Sequence, residues 1–571
     1  MLETKEFDTD VLIVGGGGAG AVAAIRAASL DSRVLVVTKG PFPSGNTSLA
    51  MAGYSAALGY ADPRDNPDVH FDDIMRTGKG LNNPNVVRAR TKEIVMVTKE
   101  LDSWGIDFVR EDGKLAQKPA PAWHTYSRIV HQGFNTGKAV TKCLREKTRQ
   151  MDIKNLEYTV IGGLLKDDKR IAGAWGFDFK TGEFILIRTK AVVMATGGMG
   201  HLFPNTDNVD QITGEGYALA YNAGAELVDM EMAHFNIAPC YPEGMRASIA
   251  VSGIIRDFIN EGGAKLYNNQ EERFMIKDYP DTGEKGRTGM ELARAVGREI
   301  CEERGTIHGG VYLDLSDITE DMKKDIFSKA WKRFSANGID LNTERLEVAP
   351  YPHDFLGGIK IDGKGRTSIE GLFAAGEAAG GSHGADRPGG AALSDALAFG
   401  SIAGKNAADY SANLKKELSP EESPAEENKL ALESILSGKE GKTPEEIQKA
   451  IQLIAHRYIN IERNDKGLRK AIEELEQIKN KELPRMCVPG EDTPENSKNL
   501  RKSIELKGQL VLARLIAEAA LCRQESRGGD FGGHYRSDYP LQDDENWLKN
   551  IVLKDKDGEI SCDIVAIVEE G

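Results

Sequence analysis

Cysteine is scarce in this chain: there are six in 571 residues, at Cys143, Cys240, Cys301, Cys487, Cys522 and Cys562, and no CxxC pair among them. That scatter excludes a disulfide framework and an iron–sulfur cradle, so any such cluster would have to belong to another chain. Long apolar runs are also missing, with none approaching the ~18 residues that suggest a membrane span. The first ten residues carry no charged-then-apolar leader pattern, which makes the cytoplasm the expected compartment. Positive charge is in deficit, with 73 Lys+Arg against 88 Asp+Glu and a net charge of −15. An acidic balance of that size argues against a nucleic-acid partner. What is abundant is glycine, 62 residues without a collagen-like period, above the ~7% average. The length and the 40% hydrophobic content exclude wholesale disorder and predict more than one domain.

The apolar run Asp10 to Gly15, an alanine-rich helix from Ala21 to Leu30 and a strand from Arg33 to Thr38 form a β-turn-α-β opening. A further strand, Ala191 to Ala195, runs into Thr196-Gly197-Gly198, and a third glycine-dense segment spans Ile369 to Gly390. Segments so far apart are expected to converge in one discontinuous nucleotide-binding domain. Between about 236 and 350 the text changes to short strands, charged loops and a basic helix around Met290 to Arg304, which reads as an insertion. After about 410 it turns Glu/Lys-rich, with Leu468, Ile472, Leu475 and Ile478 at helical spacing, as in a solvent-faced helical bundle. A short strand from Cys562 to Val568 is expected to close the chain.

Gly15-Gly16-Gly17-Gly18-Ala19-Gly20 satisfies GxGxxG directly after a strand and at the opening of a helix. Gly15 permits the tight turn, Gly17 lets the backbone approach a pyrophosphate, and Gly20 lets helix pack on strand, with the helix N-terminus facing the negative charge. The second strand ends in Thr38-Lys39, where a nicotinamide site would supply an acid for the ribose. Ala195-Thr196-Gly197 adds a second backbone approach, and Gly371 to Glu377 a third with a carboxylate attached. Three distant contacts suit FAD, a ligand too long for one turn.

With these residues in hand, the chain resembles the flavoprotein subunits of succinate dehydrogenase and fumarate reductase, a family that includes L-aspartate oxidase and, more distantly, adenylylsulfate reductase. The resemblance runs through Gly15 to Gly20, Ser44 to Ser48, Ala195 to Gly198, Glu271 to Met275, His353 to Gly358, Gly371 to Glu377, His383 to Arg387, Glu525 to Arg527 and Asp543 to Trp547. It implies an α/β fold: a discontinuous Rossmann-like FAD-binding domain (1–235 and 351–410), an inserted α+β capping domain (236–350), a C-terminal helical domain (411–540) and a tail (541–571). The expected cofactor-binding set is Gly15, Gly17, Gly20, Thr38, Lys39, Ser44, Asn46, Thr47, Ala195, Thr196, Gly197, Glu215, Glu377, Ala392 and Leu393. Glu377 is expected on the ribitol or ribose hydroxyls, and the amides of Gly390 to Leu393 at the flavin N1/O2 edge.

The resemblance also has gaps. Asn46 stands where membrane-bound members attach FAD through a histidine. An amide cannot form that bond, so FAD is expected to be non-covalent, a trait that in this family goes with reduction of an alkene. His353 and Arg387 match positions that bind a substrate carboxylate. The opposing histidine and threonine are replaced by Asn236 and Ala238, with His234 either contributing or simply buried. Arg256 falls near the place of a family glutamate, and Gly289 at that of the proton-donating arginine, for which Arg287, or Arg294 one turn on, is the available substitute.

The expected catalytic set is therefore Arg387, His353, Arg287 and His234, with no metal site, acting on a small carboxylate substrate. Three readings stay open: hydride transfer between FAD and a carboxylate-activated C=C bond, adduct chemistry on adenylylsulfate or sulfite, and a non-catalytic FAD electron-transfer subunit. Each needs an electron partner, expected to be an iron–sulfur subunit, with a soluble reductant or quinone as the alternatives.

Overall fold

The computed structural model describes residues 2–119, 123–242, 254–416, 418–438, 440–488, 494–530 and 532–570. It is a mixed α/β protein built around a seven-stranded sheet. Thr4–Val14 lies in its middle, parallel to Val34–Val37 on one side and to Phe184–Met194 on the other. Lys154–Leu156 extends one edge, the antiparallel strands Arg170–Asp178 and Thr159–Asp167 the other, and Leu372–Ala374 pairs with the end of Phe184–Met194. The residues Val11 to Val14 and Val34 to Val37 are all buried, as the near-continuous apolar runs of a sheet covered on both faces require.

The helix Gly18–Ala28 follows the first strand and packs on the long helix Ala391–Asn413. Their contact is backbone-close: a Cβ on Gly400 would lie 2.5 Å from the carbonyl oxygen of Ala19, and one on Gly404 2.3 Å from that of Ala23. Segments almost 400 residues apart thus form one layer, which makes the nucleotide-binding unit discontinuous in sequence.

A second large sheet carries Lys265–Tyr267, Val311–Asp314, Leu346–Phe355, Ala233–Tyr241, Gly532–Arg536 and Glu462–Arg463 in that order. Its last two strands come from the region that reads as purely helical in sequence. A third sheet joins Ala379–Gly380, Gly358–Lys360 and Leu227–Val228 to a C-terminal hairpin, Lys549–Lys556 with Glu559–Ala566. The lone closing strand expected at 562–568 is therefore one arm of that hairpin, shifted towards the N-terminus.

The expected solvent-faced bundle also differs. In the helix Pro494–Cys522 the side chains of Leu500, Ile504, Leu510, Leu512, Leu515 and Ile516 are buried, and the helix packs on Glu215–Asn222 and on Asp465–Gln477. Arg523, just beyond it, is wholly buried between three carboxylates: Glu231 at 2.6 Å, Glu525 at 3.0 Å and Asp229 at 3.3 Å. It also donates to the carbonyls of Trp547 and Lys549, so one guanidinium ties the C-terminal region to the segment entering the second sheet. Among the described residues no helix is long and apolar enough to cross a membrane.

Candidate active site

A cavity of about 820 Å³ runs from the glycine turn, past the start of the helix Ala391–Asn413, to the second sheet. At the turn, Gly15 has φ +112° and a Cβ there would sit 2.1 Å from the Ala195 carbonyl, so both approaches to the cavity depend on its lack of a side chain. Gly17 is different. A Cβ there would meet no protein atom nearer than Thr47 Oγ1 at 3.9 Å, and its backbone faces the cavity. Thr47 Oγ1 accepts from the amide of Gly18 at 3.0 Å, fixing the helix start.

Lys39 lies at the cavity wall near this end, its ammonium held by Glu215 at 2.7 Å, Glu505 at 2.9 Å and the hydroxyl of Thr213 at 2.5 Å. Two carboxylates, Glu215 and Glu505 of the C-terminal helix, thus hold the lysine that ends the second strand. Further along, Gly390 takes the left-handed conformation at φ +75° and starts the helix Ala391–Asn413. The first-turn amides of that helix, at Ala392 and Leu393, border the cavity with the positive end of the helix dipole. Glu377 is half-buried at the cavity wall. Its Oε1 accepts from the amide of Phe355 at 3.2 Å, and a Cβ on Gly198 would collide with its carboxyl. Burial, reinforced by the Asp354 carboxylate, pushes its carboxyl up to about 8, so it holds its proton at neutral pH.

The far wall comes from two antiparallel strands, Ala233–Tyr241 and Leu346–Phe355. His234 pairs with Asp354 and Phe235 with Pro352, which leaves His353 as the extra residue of a β-bulge. In a regular strand His353 and Asp354 would point to opposite faces, whereas at this bulge both reach the cavity. Asp354 accepts from Arg387 through Nε at 2.6 Å and Nη2 at 2.7 Å, and its Oδ1 lies 3.0 Å from His234 Nδ1. Arg387 is thus a bidentate partner of a carboxylate of the protein itself. Burial opposes the charged form of His234 and lowers it to about 4, leaving a neutral imidazole at pH 7.

His353 is the opposite case. Its Nδ1 lies 2.6 Å from Asp207 Oδ2. Burial disfavours its charge, but the Asp207 carboxylate outweighs that and raises it to about 9. Asn208 donates to the carbonyl of His353 at 3.0 Å and, through its Oδ1, receives Asn46 Nδ2 at 2.8 Å. Asn46 also accepts from the amide of Val209 at 3.1 Å. Loop 207–209 therefore clamps His353 on one side and Asn46 on the other. Arg256, Asp257 and Asn260 of the helix Ile254–Asn260, with Arg333 and Phe134, line the cavity across from this wall.

Residues 10–393 match the family described as FAD binding domain, and residues 448–569 match fumarate reductase flavoprotein C-term. The chain is similar, at 37% identity over 562 residues, 97% of this chain and 98% of the other, to one subunit of the fumarate reductase (CoM/CoB) of Methanothermobacter marburgensis. Among solved structures it is similar to Mycobacterium smegmatis Sdh1 in complex with UQ1, with TM-score 0.90 and 32% identity over 100% of this chain and 95% of that one.

The chain belongs to the fumarate reductase and succinate dehydrogenase flavoprotein family. It is an FAD-dependent oxidoreductase with the fold of that family. Adenylylsulfate reductase of Archaeoglobus fulgidus, at 20% identity and TM-score 0.76, is alike in fold alone. The cavity fits the family's cofactor: open backbone at Gly17 suits a pyrophosphate, and the helix start at Ala391–Leu393 faces the space beyond it.

Of the expected cofactor set, Gly15, Gly17, Thr38, Lys39, Ser44, Asn46, Thr47, Ala195, Thr196, Gly197, Glu215, Glu377, Ala392 and Leu393 line the cavity. Gly20 stands behind it, with a Cβ position 1.9 Å from the Gly15 carbonyl oxygen, in the helix-on-strand packing role. Of the expected catalytic set, His234, His353 and Arg387 line the cavity and Arg287 does not. The capping box of Thr288 and Glu291 starts the helix Gly289–Cys301 and keeps Glu291 at its first turn. Arg287 folds back on that turn, 3.5 Å from Glu291 and with its guanidinium 4.1 Å from the Tyr279 ring centre. Arg294, the substitute one turn on, stacks 3.2 Å over Tyr535 instead. Asp207, Asn208, Asp354 and Arg333 line the cavity without having been expected from the sequence. Asp354 adjoins His353 and was within reach of it; Asp207 enters only through the tertiary contact.

Proposed function

We propose that this chain reduces a carboxylate-activated C=C bond, of the fumarate type, as the non-covalently FAD-loaded flavoprotein subunit of a complex fed by an iron–sulfur partner. The observation that carries the reading is that His353, Arg387 and Arg256 line the same cavity as the first-turn residues Ala392 and Leu393, with Arg387 held by Asp354 and His353 by Asp207. Bound FAD supplies the two-electron chemistry, giving up a hydride when reduced.

The chain's own residues do the rest. Arg387, held by Asp354, and Arg256 anchor and polarise carboxylate oxygens, which draws electron density from the double bond. The helix dipole at Ala392 and Leu393 stabilises negative charge at the cofactor's edge. The cap-side residues Arg256, Asn260 and Arg333 line the same cavity and would orient the substrate there. Asn46, committed to Asn208 and Val209, holds the loop beside the cofactor without bonding to it covalently.

The test is to reduce the purified holoprotein anaerobically and follow the flavin band on adding fumarate. Prompt reoxidation is the expected result. No response to fumarate, with AMP-dependent bleaching of the oxidised flavin by sulfite, would replace this reading with adduct chemistry. Silence towards both would leave an electron-transfer subunit.

A further inference from the structure

The six cysteines are scattered along the sequence, but the fold brings two of them together. Cys522 is the last residue of the helix Pro494–Cys522, and Cys562 lies on the second arm of the C-terminal hairpin, Glu559–Ala566. The helix packs on that strand. Arg514, Glu518 and Cys522 follow one another at intervals of four and so share one helix face. Arg514 Nη2 lies 3.5 Å from a carboxylate oxygen of Glu559, where the strand begins. Eight residues along a helix advance about 12 Å and three along a strand about 10 Å, so a helix and strand that meet at Arg514 and Glu559 meet again at Cys522 and Cys562. There the two thiols contact one another directly.

The geometry points to Cys522 and Cys562 as a dithiol–disulfide site that reacts with disulfides of low molecular mass and, once oxidised, clasps the hairpin to the helix end. Both residues are half-buried, packed on the core from one side and open to a small reagent from the other. The contact with Cys562 lowers the Cys522 thiol below its ordinary value, against the opposing effect of burial, and the same contact, with burial, raises Cys562. Glu231 and Glu518 face both thiols and oppose their ionisation, while Arg523 favours that of Cys522. Cys522 is therefore the attacking thiol and Cys562 the resolving one. The other cysteines differ: Cys143, Cys240 and Cys487 are buried, and Cys301 donates to the carbonyl of Arg457 at 3.9 Å.

Atoms and electrons balance over two steps. The Cys522 thiolate attacks one sulfur of an external disulfide R–S–S–R, the bond from Cys522 Sγ to that sulfur forms, the external S–S bond breaks and one RS⁻ leaves. Cys562 then gives its proton to solvent and attacks Cys522 Sγ, forming the bond between the two cysteines and expelling the second RS⁻. Two protein thiols are oxidised and one external disulfide is reduced to two thiols. Outside an oxidising compartment such a bond is transient and follows the thiol–disulfide poise of its surroundings. The bond closes the segment between the two cysteines, which holds Arg523, Glu525 and the strand Gly532–Arg536 of the second sheet, so oxidation restrains the whole C-terminal region against unfolding.

The test takes the purified holoprotein, reduced with dithiothreitol and then exposed to hydroxyethyl disulfide. Iodoacetamide labelling of the unfolded product should find two fewer thiols than the six of the reduced chain, and a non-reducing digest should yield a cross-linked peptide pair holding Cys522 and Cys562. In C562S the reaction should stop at a mixed disulfide on Cys522, whereas C522S should stay unmodified at Cys562. Oxidation of the wild type should raise Tm by ~3 °C or more, the shift expected for closing a loop of this length in a chain of this size, and dithiothreitol should reverse it. Six free thiols after oxidation, a cross-link through another cysteine, a mixed disulfide that persists on Cys522 in the wild type, or a Tm that does not move would overturn the proposal. The wild-type measurements need no substitution, so they decide even where a serine variant fails to fold. None of the readouts depends on turnover, and the outcome is therefore separate from the alkene-reductase reading above.

Discussion

Two alanine substitutions three residues apart in the glycine turn should separate cofactor binding from folding. Gly17 has φ −78° and ψ −169°, a conformation alanine adopts freely, and the added methyl meets no protein atom within 3.9 Å. The FAD-free G17A protein should therefore be as stable as the wild type or slightly more so, by ~0.4–1 kcal/mol, because the substitution restricts the unfolded chain. The methyl instead enters the space where a pyrophosphate approaches the backbone. Overpacking costs about 1–3 kcal/mol, and with tenfold per ~1.4 kcal/mol the FAD dissociation constant should rise about 5- to 150-fold.

Gly20 reverses the pattern. A Cβ there lies 1.9 Å from the Gly15 carbonyl oxygen, backbone against backbone. G20A should lose more than ~3 kcal/mol of stability before any cofactor is added, because helix and strand must separate. Differential scanning calorimetry of the FAD-free proteins gives the first quantity, and quenching of flavin fluorescence on titration gives the second. A G17A protein that binds FAD as tightly as the wild type would refute a pyrophosphate at this turn.

Acid precipitation should release the flavin into the supernatant, since Asn46 offers no nucleophile; colour retained in the pellet would contradict this. Replacing Arg523 by alanine strands Glu231 in the interior and takes one partner each from Asp229, which keeps Asn550, and Glu525, which keeps Arg527; it should cost about 3–5 kcal/mol in chemical denaturation, whereas methionine should recover part of the loss through packing. Glu377, raised to about 8 from an ordinary value of 4.5, binds its proton more tightly folded than unfolded. Its contribution to stability is full below pH ~4.5 and is lost as pH rises towards 8, so the E377Q-minus-wild-type difference in Tm of FAD-free protein should grow between pH 5 and 8.

Much of the nucleotide-binding half was legible because its signals are local. A tight turn, a close backbone approach and a helix start each require glycine at a particular place, and Gly15, Gly17, Gly20 and Gly390 mark those places directly. The C-terminal region was less legible. Two-residue strands such as Glu462–Arg463 leave no periodicity to read, and they exist only because Gly532–Arg536 completes a sheet begun 300 residues earlier. Spacing along the chain gave Arg287 no direction, and the structure has it off the cavity lining, beside Glu291 and the Tyr279 ring.

By itself the sequence determined the family, the cofactor and the broad layout, because those depend on backbone chemistry that few residue types can supply. Only the tertiary structure decided the electrostatics of the far wall. One bulged residue brings His353 and Asp354 to the same face, and a loop some 145 residues away delivers Asp207 to one imidazole while Asp354 holds the other and Arg387. Which histidine keeps its proton follows from which carboxylate each one meets and how deeply it is buried, and neither is encoded in spacing along the chain.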